Sequence, residues 1–406
     1  MEKSDKTRIY ESAVEIARYY GFASVNEVFD NLPKTSQISG KKRPGLPVAK
    51  EGVAGEINRP GLMKVYLENN FAALPHPVMI YHTEPLRKNM ERSEYGGEEA
   101  VLFALEIIGV SKSIAEALLL KVALMIIEEV GFEDLVVELN SLGDRESITR
   151  FGREFNTYYR KHVEEVPAHC RTNLKKDIFR VLECAQDKCM LLKEHAPKPI
   201  ASLTEESREH FTEVLEFLES MEATYRINNC LVGGKDYYTK TIFEIQTENK
   251  TNKFFPRKKL DKTLARGGRY DDLSKIQGAK KEVSAVGITI SLGGLGIVPA
   301  KRKQNKKEKK PKVYLIHLGF EAKIKSLIAI EILRKGKIPI YQSLSKDRLS
   351  AQIASADSMK IPFMIIIGQK EALEGTAIVR NMKNRSQETV PVLELPRFVK
   401  IFEKEM

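Results

Sequence analysis

The chain has 406 residues, 42% of them hydrophobic and 30% charged. That is enough for two or three domains with cores of their own, and it excludes a disordered chain or a disulfide-stapled miniprotein. The formal net charge of +11 favours a polyanionic partner, since lysines and arginines that displace condensed counterions supply most non-specific nucleic-acid affinity. No run approaches the roughly 18 apolar residues that span a bilayer. The start, MEKSDKTRIYESAVEIARYYGF, is charged and amphipathic, so a cytoplasmic protein is expected. Four cysteines in so long a chain suit a reducing compartment better than a disulfide framework.

Residues 6–20 carry helical spacing and stop at Gly21, and the Pro-, Gly- and Lys-rich stretch 33–60 predicts irregular loop. A helix is expected over 112–129, then a strand and turn over 135–143, where the chain reads LVVELNSLG. Residues 145–222 read as mainly helical and polar. Strands return at 238–246 and 283–291 with glycine turns between them. That succession predicts an antiparallel sheet decorated by helices.

The sharpest composition break is AKRKQNKKEKKPK at 300–312, where eight of the last twelve residues are Lys or Arg. Such a run repels itself into an extended tether and marks a domain boundary. Beyond it, apolar strands at 313–319, 337–344 and 362–368 alternate with helical stretches at 321–335 and 345–359. This predicts a small parallel-type α/β domain, with basic positions at Lys346, Arg348, Arg380, Lys383 and Arg385.

No Walker loop, HExxH pair or serine-nucleophile elbow occurs. His169, Cys170, Cys184 and Cys189 form a candidate ligand set, but zinc sites usually show two tight C-x-x-C pairs. Here four residues separate Cys184 from Cys189, and Cys170 has no close cysteine partner. Buried thiols and no metal are therefore expected.

The most informative pair of segments is LVGGKDYYTKTIFE at 231–244 and ARGGRYDDL at 265–273. A Gly-Gly turn before an amphipathic helix is common, and its distance from DYYTKTIFE is what makes it specific. Together they resemble the signature segments LVRGLDYYxxTVFE and GGGRYDGL of histidyl-tRNA synthetases, which are class II aminoacyl-tRNA synthetases. The LPHPVMIYHTEP approach, the VELNSLG strand and residues 312–400, which are similar to the family's anticodon-binding domain, extend the likeness over most of the chain. The resemblance implies an α/β protein: an antiparallel class II sheet domain over 1–299 with a helical insertion at about 145–222, a basic linker over 300–311, and an anticodon-binding-like domain over 312–406. It also implies a homodimer through the N-terminal domain.

Activating an amino acid brings its carboxylate to the α-phosphorus of ATP, so fixed cations, preferably planar arginines, must steady the charge that builds there. The family places arginines in a motif 2 FRxE segment, in LVRGLDYY, and in a motif 3 GFAxGLERL helix. Against these patterns, residues 81–109 match motif 2 without a gap, but FRxE becomes Arg87-Lys88-Asn89-Met90. Gly233 and Gly294 replace the other two arginines. Lys88, Lys235 and Arg266 are the substitute cations that the resemblance offers. On the amino-acid side, Glu106, Tyr238 and Tyr270, with Arg269 beside them, match residues that line the family's imidazole pocket. The α-amino contacts are missing, because RPEGT reads Arg59-Pro60-Gly61 and Leu102 occupies the position of the FHQ glutamine.

The resemblance so qualified implies a synthetase-like protein with weak or lost activation chemistry. It would bind tRNA or another RNA through Lys301, Arg302, Lys303, Lys306, Lys307, Lys309, Lys310, Arg380 and Lys383, and take histidine or an imidazole ligand. Two alternatives remain open. One is an active histidine-tRNA ligase with rearranged cations, using ATP and Mg2+. The other is a regulatory subunit of ATP phosphoribosyltransferase, a group that generally lacks the C-terminal domain.

Overall fold

The computed structural model describes residues 3–30, 58–69, 71–74, 76–84, 102–168, 170–172, 178–182, 184, 186–233, 237–248, 262–292, 311–344 and 348–404. The first and larger sheet has eight strands: β1 Ala23–Ser24, β2 Val78–Glu84, β3 Leu102–Ile108, β4 Leu135–Gly143, β5 Tyr225–Ile227, β6 Thr239–Thr247, β7 Thr263–Arg269 and β8 Ala285–Ser291. Their order is β1-β2-β3-β8-β7-β6-β4-β5. The inner pairs are all antiparallel, and only the edge pairs β1–β2 and β4–β5 are parallel. The expected antiparallel sheet with helical cover is therefore present.

Strand alternation sorts the side chains of this sheet onto two faces. Phe103, Leu105 and Ile107 on β3 and Val286, Ile288 and Ile290 on β8 point to one face, where they join a core with the helix Ile114–Glu129. That helix buries residues around most of its circumference, from Ile114 through Ile127, as expected of a helix with protein on every side. The opposite face carries His82, Glu106, Thr289 and Arg266, in positions where a core strand would place more aliphatic residues.

Two local expectations are corrected. The irregular stretch was expected to run to Pro60, but a helix Arg59–Glu68 begins before it. Asn58 caps this helix by accepting from the Gly61 amide at 2.8 Å, and Pro60 lies in the first turn, where its missing N–H costs nothing. The glycines of ARGGRYDDL lie inside β7 rather than in a turn. A Cβ on Gly267 would meet the Gly287 carbonyl oxygen at 2.3 Å, and one on Gly268 would meet the Thr241 carbonyl oxygen at 2.9 Å. Close backbone approach across the sheet, not turn geometry, requires glycine here.

The second sheet runs β10-β9-β11-β12-β13, with β9 Val313–His317, β10 Ile340–Gln342, β11 Phe363–Ile367, β12 Thr376–Asn381 and β13 Gln387–Pro391. Strands β10, β9 and β11 are parallel, as the alternation of strands and helices predicts. β12 and β13 pair antiparallel, making the sheet mixed instead of wholly parallel. The link from β12 to β13 is a tight turn with Arg385 at φ 61°, too short for the crossover that a parallel pair needs. The helix Phe320–Lys335 faces the first sheet's cover. Lys121 pairs with Glu331 at 2.7 Å, the Tyr19 hydroxyl donates to the Ile338 carbonyl at 2.8 Å, and the rings of Phe217 and Phe320 lie 5.0 Å apart. No described helix is long and apolar enough to cross a membrane.

His317, at the end of β9, is 1% exposed, and neither ring nitrogen has a hydrogen-bond partner among the described residues. Burial, with Lys323 and Lys112 adding repulsion, pushes its pKa down to about 4. The unfolded chain therefore takes up the proton first as pH falls. Stability is fully present above about pH 6.5 and declines until about pH 4, by up to roughly 3 kcal/mol at 1.4 kcal/mol per unit. Urea unfolding of wild type and His317→Phe across this range checks the sign: the variant is expected to lose this part of the pH slope.

Candidate functional site

The polar face of the large sheet has one fully buried carboxylate, Glu106 on β3. Register places it opposite Gly287 on β8 and Ile80 on β2. A Cβ on Gly287 would stand 1.5 Å from a Glu106 carboxylate oxygen, so only glycine at 287 leaves room for this acid. The Tyr270 hydroxyl, just past β7, donates to Glu106 Oε2 at 2.7 Å. His82 on β2 brings Nε2 to 3.7 Å from Oε1.

The fourth neighbour is Arg59, from the first turn of the helix Arg59–Glu68. Its Nε lies 2.9 Å from Glu106 Oε1, its Nη1 donates to the Tyr238 hydroxyl at 3.1 Å, and its Nη2 donates to Thr289 Oγ1 at 3.0 Å. The Nε contact is an ion pair without hydrogen-bond alignment. The guanidinium carbon stands 5.9 Å from the Tyr270 ring centroid, within cation–π range. Arg59 is 3% exposed. Burial first, and the Glu106 charge second, push the Tyr270 phenol well above its ordinary range, so it serves as a donor and not as a base. The arrangement is a socket for a planar, multiply N–H-donating cation, and an internal arginine fills it.

A family model described as "Histidyl-tRNA synthetase" matches residues 79–295, more than half of the chain, and one described as "Anticodon binding domain" matches 312–401. The chain belongs to the histidyl-tRNA synthetase family. It is 31% identical to a histidine–tRNA ligase of Fervidobacterium nodosum over 80% of this chain and 75% of that one. It is 26% identical to the ligase of Desulforamulus reducens, with coverage of 97% and 90%. Among solved structures, apo Staphylococcus aureus histidyl-tRNA synthetase aligns with TM-score 0.51 at 20% identity, covering 98% of this chain and 97% of that one, which shows a shared fold.

The structure brings together Glu106, Tyr238 and Tyr270, three of the residues that family resemblance selects. It does not bring Arg269 to them. Arg269 points to the opposite face of the sheet, fully buried, with Nε and Nη2 forked onto the Glu116 carboxylate at 2.7 and 2.6 Å. Its Nη1 donates to the Val110 carbonyl and to Asp271. Strand alternation explains this, because Arg269 has the parity of Ala265 and Gly267 on β7, not that of Arg266 and Gly268. Arg266 does lie on the site face, but it pairs with Glu244 at 2.9 Å, so its charge is already compensated. Leu102 is buried at the start of β3. Lys88, Met90, Lys235, Gly294 and the tether residues Lys301, Arg302, Lys303, Lys306, Lys307, Lys309 and Lys310 lie outside the described residues. Arg380 lies half-buried on β12, and Lys383 is exposed in the turn that follows it.

Gly233, in place of the family arginine, has φ 75°, and a Cβ there would come within 2.7 Å of the Tyr238 ring. Side chains avoid this backbone region. Gly233→Arg is therefore expected to destabilise the protein by about 1–3 kcal/mol and to leave amino-acid activation at background, as thermal unfolding and pyrophosphate exchange would show.

Reading the sequence missed Arg59, His82, Thr289 and Gly287 as site residues. Arg59 stood within a segment judged only for its lost glutamate, and no spacing signal marks a buried arginine. The cysteines also differ from expectation in one respect: Cys170, Cys184 and Cys189 converge, with Cys170 Sγ 3.4 Å from both of the others. His169 lies outside the described residues.

Proposed function

We propose that this chain is a histidyl-tRNA synthetase-like RNA-binding protein in which histidine activation is weak or lost, and in which the imidazole-recognising socket is held by its own Arg59. The carrying observation is the placement of the Arg59 guanidinium among Glu106, Tyr238, Tyr270 and Thr289. Imidazole and guanidinium are both planar groups that present N–H donors, so the same carboxylate and hydroxyls satisfy either one. Histidine enters only if Arg59 leaves. The sequence adds the second support, since Gly233 and Gly294 take the places of two family arginines and Lys88 takes the third. The match of residues 312–401 to the anticodon-binding model, together with the net charge of +11, supports tRNA as the ligand. A cytoplasmic homodimer, divided at the basic tether, completes the reading.

The deciding experiment pairs histidine-dependent ATP–pyrophosphate exchange with tRNA filter binding on the full chain. Background exchange with retained, salt-sensitive tRNA binding supports the proposal. Steady turnover near that of an ordinary synthetase overturns it in favour of an active ligase using ATP and Mg2+ with Lys88, Lys235 and Arg266. Removing residues 301–310 is expected to flatten the dependence of log K on log salt by roughly 0.7–0.9 per lost phosphate contact, and an unchanged slope would reassign the RNA contact elsewhere.

A further inference from the structure

We propose that Cys170, Cys184 and Cys189 form a metal site that takes zinc through three thiolates, with one further donor completing a tetrahedron. The three sulfurs lie within 4.8 Å of one another, and two of the separations are 3.4 Å. Zinc–sulfur bonds of about 2.3 Å place tetrahedral sulfurs about 3.8 Å apart, so the two shorter separations would each open by about 0.4 Å to close on an ion. The ligands come from three separate short elements. Cys170 follows the helix Arg145–Lys161, Cys184 follows the 3-10 turn Ile178–Val181, and Cys189 sits near the start of the helix Asp187–His195. Cys170 and Cys189 are almost fully buried, and Cys184 is partly exposed.

A second observation points to the same place. The Tyr159 hydroxyl is buried and has no hydrogen-bond partner among the described residues. Tyr159 packs in the same apolar cluster as Cys170 and Cys189. A metal-bound thiolate accepts hydrogen bonds far better than a neutral thiol does, so an ion held here would put stronger acceptors into the cluster that buries this phenol. Closure is a simple exchange: three S–H groups release three protons as three S–metal bonds form, and the divalent ion leaves a site of net charge −1 if the fourth donor is neutral. Soft thiolate donors select zinc over magnesium or calcium.

The surroundings give such an ion a structural task. The described residues between 162 and 186 form turns and short helical pieces, and Val166, Val181 and Leu182 among them join one apolar cluster with Cys170, Cys189 and Leu192. A three-point staple joining residues 14 and 19 positions apart would fix this part of the chain.

The test uses the full chain expressed in zinc-replete medium, purified under reductant without chelator and desalted. Elemental analysis is expected to find about one zinc per chain, and cobalt exchange should give the thiolate charge-transfer and intense visible bands of a tetrahedral centre. Cys184→Ser, chosen because Cys184 is the most exposed of the three, is expected to lower the zinc content at least about threefold while circular dichroism stays that of wild type. Cys230→Ser, outside the cluster, is expected to keep it. Wild type that holds no stoichiometric zinc and gives no cobalt–thiolate bands overturns the proposal, independently of any variant's folding. So does recovery of the cluster as a disulfide, or equal metal loss in the two serine variants. None of these outcomes bears on histidine activation.

Discussion

Histidine-dependent pyrophosphate exchange by the wild-type protein is expected to lie at least about 10²-fold below that of an ordinary family member. Removing one preorganised donor to a developing oxyanion costs roughly 10²- to 10³-fold. On the proposed reading, Gly233 and Gly294 stand where two family arginines would be, and Lys88 stands for a third. Residues acting as a unit are non-additive, so the full product is not expected, but one such loss already sets the floor. Rescue by the described substitute is also poor, because Arg266 is engaged by Glu244. The measurement is exchange at saturating histidine and ATP. A rate within tenfold of an ordinary synthetase would mean that cations outside the described residues have rebuilt the site.

The largest effect on stability is expected at the opposite face of the sheet. Arg269→Met should cost about 3–5 kcal/mol, because it leaves Glu116 buried without its cation. Burial alone would raise the Glu116 carboxyl, yet Arg269 and His210 outweigh it and hold it well below the usual carboxylate range. The His210 ring nitrogen, 2.8 Å from Glu116, cannot replace a forked guanidinium. The double variant Arg269→Met with Glu116→Leu is expected to recover most of the loss, since a well-packed apolar pair often equals or exceeds a buried ion pair. The pH dependence has a definite sign. A depressed carboxyl pKa gives stability that is present above its unfolded value and lost as pH falls through the folded one, so Arg269→Met should flatten the acid limb of the unfolding profile. Equal stability of Arg269→Met and wild type would show that the fork carries no net weight.

Much of the fold was legible because it is periodic. The apolar run of residues 114–127 and the alternation in LVVELNSLG each announce themselves through local composition. That Glu106, Tyr238 and Tyr270 come together around Arg59 was legible through segment resemblance for the three residues and not for the arginine. What stayed hidden depended on parity and register. Whether Arg269 faces the site or the core turns on a single residue of strand phase, and the need for glycine at 287 appears only when Glu106 is seen across the ladder. Arg59 was the hardest to foresee. A charged residue in a capped first helical turn normally faces water, and only the tertiary closure of that helix onto β3 and β8 buries it. The mixed second sheet is a related case: Asn381 and Asn384 accept from the Lys383 and Ser386 amides in the turn after β12, and only the strand pairing shows that this turn joins antiparallel neighbours.

The occupant of the socket is covalently part of the protein, and that changes what a visiting ligand must do. A tethered group competes as though it were present at millimolar concentration or above, so any free ligand proposed for this socket would contend with a resident that never diffuses away. Whatever draws the helix Arg59–Glu68 outward would raise the apparent affinity for an imidazole, and by reciprocity an imidazole that wins would loosen that helix. The socket is thus latched from within, and the handle of the latch is the Asn58–Pro60 entry to the helix.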